Sequence, residues 1–238
     1  MSESFHSSEP FGNVVIVQVK KLILGLCIPG LAAAYPDISK PTTGTAEQIV
    51  GPCRFRIANM YGGEFRAPRP DSSPPHQGTY YLPVTGPTAF LAGGFGMFCV
   101  EATNDRITSA LNAKYVDGRW QRYGLDGGPE FVPFEKEANA RTVSMKGRNW
   151  AGIAYIEDDT TGDQRRRARI FHFCLIHNVH ALCGNAPVKW LADRNARSDL
   201  CRMRTILESV EFVDPRAPRG ASAADTFDAP PAARPAQP

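Results

Sequence analysis

The stretch Ile170-Phe-His-Phe-Cys-Leu-Ile176 constrains the fold more than any other part of this chain. Phe171, Phe173 and Leu175 fall on one side of an extended backbone, and Ile170, His172, Cys174 and Ile176 on the other. A strand with one wet face alternates apolar and polar; a strand apolar on both sides needs a layer packed on each. The stretch is therefore read as a central strand, Arg167–Ile176. It is followed by a reversal at His177–His180 and a second strand, Ala181–Val188. A polar loop, a helix from about Ser198 to Glu208 and a last strand, Val210–Val213, complete the organising region.

The reversal sets a register. Centred between Asn178 and Val179, it puts Ile176 opposite Ala181, Leu175 opposite Leu182, and Cys174 opposite Cys183. Opposed Cα atoms in an antiparallel pair lie about 4.5–5.5 Å apart, inside the span a disulfide accepts. Val179 is a poor residue for the positive φ of a two-residue type I′ turn, so a four-residue loop is expected. A Cys174–Cys183 bridge is one candidate pair, and Cys53 with Cys99, both in predicted strands, is the second.

The helix carries one apolar stripe, Leu200, Met203, Ile206, Leu207 and Val210, at helical spacing. Arg197, Arg204 and Glu208 lie on the other side. Ser198 or Asn195 is the expected N-cap, with Asp199 in the first turn. Cys201 falls away from the stripe and is the candidate free thiol. Arg197, Arg202 and Arg204 would favour its thiolate, but the sequence supplies no recognisable base beside it.

Toward the N-terminus, Lys20-Lys21 precede the apolar run Leu22–Ile28. Pro29-Gly30 and the small residues Leu31-Ala-Ala-Ala34 follow. A positive segment, a short apolar segment, a breaker and an A-x-A site at Ala32 and Ala34 make a signal peptide, with cleavage expected after Ala34. Leu26 sits where a lipoprotein cysteine at position 27 would need a small residue. Residues 1–34 are thus a removable leader, 35–48 an exposed leader, 49–214 a single domain, and 215–238 a Pro- and Ala-rich disordered tail. Export places the chain in the periplasm or outside the cell, with no membrane insertion after cleavage. Of six cysteines, loss of Cys27 leaves an odd number in an oxidising compartment.

Between leader and organising region the signals are local. Ile49–Ile57 reads as a strand and Arg66–Gly78 as a proline-rich loop. Thr79–Val84 and Met97–Val100 are further strands. Gly93-Gly94-Phe95-Gly96 runs into a strand rather than opening a helix, so it is a bulge or bend and not a phosphate cradle. Asp117-Gly118 is a hairpin turn between Ala113–Val116 and Arg119–Leu125. Trp150–Glu157 is a strand. Arg165-Arg-Arg-Ala-Arg169 is a solvated strand start, with Asp158, Asp159 and Asp163 near enough to offset it. The predicted class is α+β, mainly antiparallel sheet with the C-terminal amphipathic helix packed on it.

The phrases Phe171-His-Phe-Cys-Leu175 and Ile206-Leu-Glu-Ser-Val-Glu-Phe212 resemble uncharacterised exported proteobacterial proteins. The helix-then-strand phrase Thr205–Val213 is similar to the end of Mog1/PsbP-like α/β/α sandwiches. That resemblance implies a last helix on an antiparallel sheet and an accessory or binding role, and it carries over no catalytic residues.

Net charge of +3 with acids interspersed gives no electrostatic footprint for nucleic acid. No nucleophile elbow, zincin helix, phosphate loop or S-x-x-K motif occurs. His172, Cys174, His177 and His180 lack metal-ligand spacing, so no metal and no cofactor are expected. The expected function is a non-catalytic exported binding or accessory protein with a protein partner, an immunity protein against a delivered toxin being one form. The alternatives are a periplasmic hydrolase whose site assembles from separate strands, and a metal or thiol redox protein using His172, Cys174 or Cys201.

Overall fold

The computed structural model describes residues 46–69, 71, 73–86, 90–124 and 130–214. The predicted signal peptide and its cleavage site, most of the leader and the C-terminal tail lie outside the described residues. Fourteen strands and two α-helices are described: β1 (Gln48–Val50), β2 (Cys53–Arg56), β3 (Glu64–Arg66), β4 (Gln77–Tyr81), β5 (Gly94–Glu101), α1 (Asn104–Leu111), β6 (Ala113–Val116), β7 (Arg119–Tyr123), β8 (Phe131–Pro133), β9 (Arg141–Thr142), β10 (Met145–Lys146), β11 (Ala151–Asp158), β12 (Ala168–His177), β13 (His180–Trp190), α2 (Leu200–Glu208) and β14 (Glu211–Phe212). The architecture is mostly antiparallel sheet with little helix.

The central sheet runs β10-β11-β12-β13-β5-β4-β3, with β9 also on β11. Two small sheets stand apart from it in hydrogen bonding, β1-β2-β14 and β6-β7-β8. Strand β12 lies between β11 and β13, and its alternate residues enter two different apolar clusters. Phe171, Phe173 and Leu175 join Phe55, Tyr80, Met97, Met203, Ile206, Leu207 and Phe212. Cys174 joins Tyr155, Ala181, Cys183, Leu111 and Trp120, with Ile176 packed against them. The first cluster holds the buried stripe of α2; the second holds the end of α1 and the inner side of β7.

The β12–β13 register is the one the reversal implied, with Cys174 opposite Cys183 and His177 opposite His180. The loop is shorter than expected. It has two residues, and Asn178 alone takes a positive φ, 51°. Val179 is spared the left-handed conformation that made a two-residue turn look unfavourable. A two-residue turn places Cys174 and Cys183 at a non-hydrogen-bonded site, the closer kind, and their Cα atoms are 4.0 Å apart. Further along, a bulge between Arg169 and Ile170 breaks the register. There the Val188 carbonyl accepts from Asp199 N–H at 2.8 Å, fastening the start of α2 to β13.

Four other local readings change. Ile49–Ile57 is a hairpin and not one strand, because Gly51 supplies a positive φ of 55° and turns the chain between β1 and β2. The glycine cluster is a bend only at Gly93; Gly94 and Gly96 lie within β5, and a Cβ on Gly94 would come 2.2 Å from the Tyr80 carbonyl oxygen. α1 was not foreseen; Thr103 caps it, its Oγ1 accepting from Arg106 N–H at 3.4 Å. α2 has Asp199 as its N-cap, whose side chain makes no cap hydrogen bond, while the neighbouring Ser198 hydroxyl accepts from Leu200 N–H at 3.3 Å. The Asp199 carboxylate is buried and instead accepts from Leu91 N–H at 2.9 Å and Arg202 at 3.0 Å. The Asp117-Gly118 turn is as read, with φ of 50° and 80°, both signs that a type I′ turn requires.

Candidate functional site

The face of the central sheet that carries Cys174 and Cys183 is not uniform. At one end it is roofed by α1 and by the β6–β8 sheet. Two residues further along each strand it opens, and the register there draws a straight row. Tyr155 pairs His172, His172 pairs Asn185, Asn185 pairs Gly96, Gly96 pairs Thr79, and Thr79 pairs Arg66. Because all are paired positions in antiparallel neighbours, their side chains leave the same face. From β12 to β3 the row crosses four strand spacings, about 19 Å at about 4.8 Å each.

The floor of the row is polar and accessible. Asn185 and Arg66 are exposed and Thr79 is half-buried. At its middle, Gly96 has no side chain, and the Gln77 amide lies across the space a Cβ would occupy. Tyr81, 44% exposed, flanks the β4 end. The Arg66 guanidinium sits 4.7 Å from the Tyr81 ring centre and donates through Nε to Glu64 at 2.8 Å. Arg66, Arg69, Gln77, Thr79 and Tyr81 line a hollow of about 400 Å³ there.

The opposite end is charged. His172 stacks on Tyr155 with ring centres 4.6 Å apart and planes within 5°, and Tyr155 stacks in turn on Trp120 at 4.4 Å. His172 Nε2 lies 3.0 Å from Glu157 Oε1, within ion-pair distance but outside hydrogen-bond geometry. Arg122 reaches Glu157 at 3.7 Å and donates to both Glu135 oxygens at 2.7 and 2.8 Å. Its guanidinium also lies 4.9 Å from the Phe134 ring centre. Hydrogen bonding from its own backbone, opposed by burial and helped by Arg122, holds the Glu135 carboxyl below its usual range. Burial, reinforced by the Glu157 charge, pushes the Tyr155 hydroxyl well above its usual range. That phenol is a donor, to the Leu111 carbonyl at 3.0 Å.

Next to this end, Asp158 and Arg169 form a two-bond pair at 2.6 and 2.8 Å, and Asn139 donates to the same carboxylate. Burial works against the Asp158 charge, but the Arg169 and Asn139 hydrogen bonds outweigh it and depress the carboxyl. Of the basic run, Arg169 meets an acid as expected. Arg167 differs: its guanidinium donates to the carbonyls of Thr161 and Gly162.

The residues singled out in the sequence are distributed as follows. Cys174 is bonded to Cys183, and Cys53 to Cys99, tying β2 to β5. Cys201 is corrected: it is disulfide-bonded, and the described cysteines include no free thiol. The metal or redox alternative thereby loses both its thiolates, Cys174 and Cys201. Among the described residues no three His, Cys, Asp or Glu side chains are grouped to hold a metal. His177 is no loose loop residue. Its Nδ1 is 2.6 Å from the Asn149 carbonyl, its Nε2 2.8 Å from Asp214 Oδ1, and its ring stacks on Phe212 at 4.9 Å.

Sequence reasoning missed Asn185, Thr79, Gln77, Arg66, Glu157 and Arg122. The signal that could have located the row was Asn185, a polar residue interrupting the apolar β13, once the hairpin register placed it beside His172. Compared with known proteins, the chain matches no family model, no curated protein and no solved structure. Among the described residues no helix is long and apolar enough to cross a membrane.

Proposed function

We propose that this chain is an exported, non-catalytic binding or accessory protein whose ligand lies on the open row of the central sheet. The observation that carries this reading is the row itself. His172, Asn185, Gly96, Thr79 and Arg66 stand in register across five strands, with the Gln77 amide over Gly96, and Asn185, Gln77 and Arg66 are exposed. Few, convergent polar groups beside aromatic rings are what a binding site needs to orient a ligand. The neighbouring charges are closed on one another, Arg122 between Glu135 and Glu157, which suits a fixed electrostatic wall more than a poised nucleophile or base. The two described disulfides favour an oxidising compartment, and the C-terminal helix, with its stripe in the main core, supports the sheet from the opposite side.

A second reading, a hydrolase, draws on one observation: Glu157 and His172 come from adjacent strands and meet at the end of the row. A carboxylate beside an imidazole is a pairing used in general acid–base chemistry. The two readings separate in one experiment. Small molecules retained by the purified chain are identified by mass spectrometry, alongside those retained by Asn185→Ala/Thr79→Val. The binding reading expects a species held by the native chain and lost from the variant, recovered unaltered after prolonged incubation. A species that is retained equally by both removes the row as the site, and one that emerges covalently changed makes the protein an enzyme. Export is checked separately: N-terminal sequencing of the mature protein should begin at Tyr35, and a start at residue 1 in the extracellular fraction would overturn it.

A further inference from the structure

We propose that His177, Asn178 and Asp214 form a proton-operated clasp. It fastens the outgoing chain to the tip of the β12–β13 hairpin while the His177 ring is charged, and frees the chain from Asp214 onward when the ring is neutral. The clasp sits on the sheet face opposite that of His172, so its working does not depend on what occupies the open row. His177 Nδ1 lies 2.6 Å from the Asn149 carbonyl oxygen, and Nε2 lies 2.8 Å from Asp214 Oδ1. A carbonyl and a carboxylate only accept, whereas a neutral imidazole has a single N–H to give. Both contacts are hydrogen bonds only when both ring nitrogens carry a proton, which is the imidazolium.

Asn178 supplies the second state. Its amide nitrogen lies 3.1 Å from His177 Nε2 and 3.2 Å from Asp214 Oδ1, and an amide nitrogen donates. With the ring charged, Nε2–H and the Asn178 amide both donate to Asp214. With the ring neutral, Nδ1–H still serves the Asn149 carbonyl, and the Nε2 lone pair accepts from Asn178 instead. The amide changes partner, and Asp214 loses its charge-assisted bond. The Asp214 side chain is 68% exposed, so water replaces what it loses. The ring itself stays put in both states, stacked on Phe212. Fastening is therefore fullest in mild acid and declines as pH rises through the range in which histidine loses its proton.

The clasp lies just beyond the last pairing of β14. Phe212 is bracketed by the Asn149 side chain, donating to Oδ1 at 3.1 Å and accepting from Nδ2 at 2.8 Å. Val213 N–H donates to the Arg54 carbonyl at 2.9 Å. The other charged groups around it are engaged elsewhere or set across the hairpin. Arg148 pairs with Glu211 at 3.1 Å, His180 opposes His177 on β13, and Glu101 on β5 opposes His180.

The test follows the isotope-labelled full chain by nuclear magnetic resonance at about pH 5.5 and about pH 8, either side of the ordinary histidine range. The His177 ring signals are assigned by their loss in His177→Gln. They should show both nitrogens protonated in acid and Nδ1 alone protonated at the higher pH. Protection of the Val213 amide against hydrogen exchange should fall about fivefold between the two, the worth of one partly exposed hydrogen bond. In Asp214→Ala it should sit at the lower value throughout. A ring in the same protonation state at both pH values, or a neutral ring protonated on Nε2, overturns the clasp. So does equal Val213 protection at the two pH values, and so does a fall that persists in Asp214→Ala.

Discussion

Two halves of one sheet face lie two residues apart along the same strands and have opposite fates. In the first, Ile153, Cys174, Cys183 and Phe98 sit in register beneath α1 and the β6–β8 sheet. In the second, Tyr155, His172, Asn185, Gly96 and Thr79 occupy the next row, where Asn185 is exposed and Gly96 and Thr79 are half-buried. Backbone geometry is the same in both, so the difference lies in side chains. Cys183 gives way to Asn185, Phe98 to Gly96, Cys174 to His172. The roofed half contributes stability through apolar burial and a cross-strand bridge; the open half gives up that burial and keeps hydrogen-bonding groups in reach of solvent. A sheet face can thus be divided between holding the fold and meeting a ligand by changes at a few alternate positions.

The contrast can be broken or sharpened by substitution. The largest effect is expected at Leu111, 1% exposed at the end of α1 in the roofed half. Leu111→Ala should cost about 2–5 kcal/mol in urea unfolding, and a cost no greater than that of a surface residue would mean the roof is not packed. Next, Cys174→Ala/Cys183→Ala removes a bridge with a sequence separation of nine. Loop-closure entropy puts its loss at about 2–3 kcal/mol, seen as a lower melting temperature, and a melting temperature equal to that of the native protein would remove the bridge from the account. Third, the depressed Asp158 carboxyl adds stability that is complete above the unfolded value, near pH 3.9, and declines as pH falls through its lower folded value. The pair with Arg169 is partly exposed, so about 1 kcal/mol or less is at stake. Acid unfolding of Asp158→Asn should lose that limb, and an unchanged acid profile would remove the pair from the account. The smallest effect belongs to the open half: Asn185→Ala should move stability by no more than about 0.5 kcal/mol. A large loss there would show that Asn185 holds the fold and would erase the contrast.

How much of this could be read beforehand depends on how local the information was. The two-sided apolarity of Phe171–Ile176 and the pairing of Cys174 with Cys183 are encoded within twenty residues. The Asp117-Gly118 hairpin needed only its dipeptide. The candidate site draws on β3, β4, β5, β11, β12 and β13, and its order joins β13 to β5 across some eighty residues. No periodicity in Gly93–Gly96 announces that these glycines will lie beside Asn185. The turn at Asn178-Val179 was misjudged for a narrower reason: the left-handed conformation fell on asparagine, which tolerates it, and not on valine. Cys201 was misjudged because pairing depends on the whole complement of cysteines, a property that no neighbouring residue reveals.

The grip of His177 on Asp214, with its ring laid on Phe212, has a mechanical consequence. The covalent chain leaves the described fold at Asp214, yet its tension is delivered sideways to the tip of the β12–β13 hairpin. A pull on the chain beyond that point would load the turn at Asn178 before it could unzip β14 from β2.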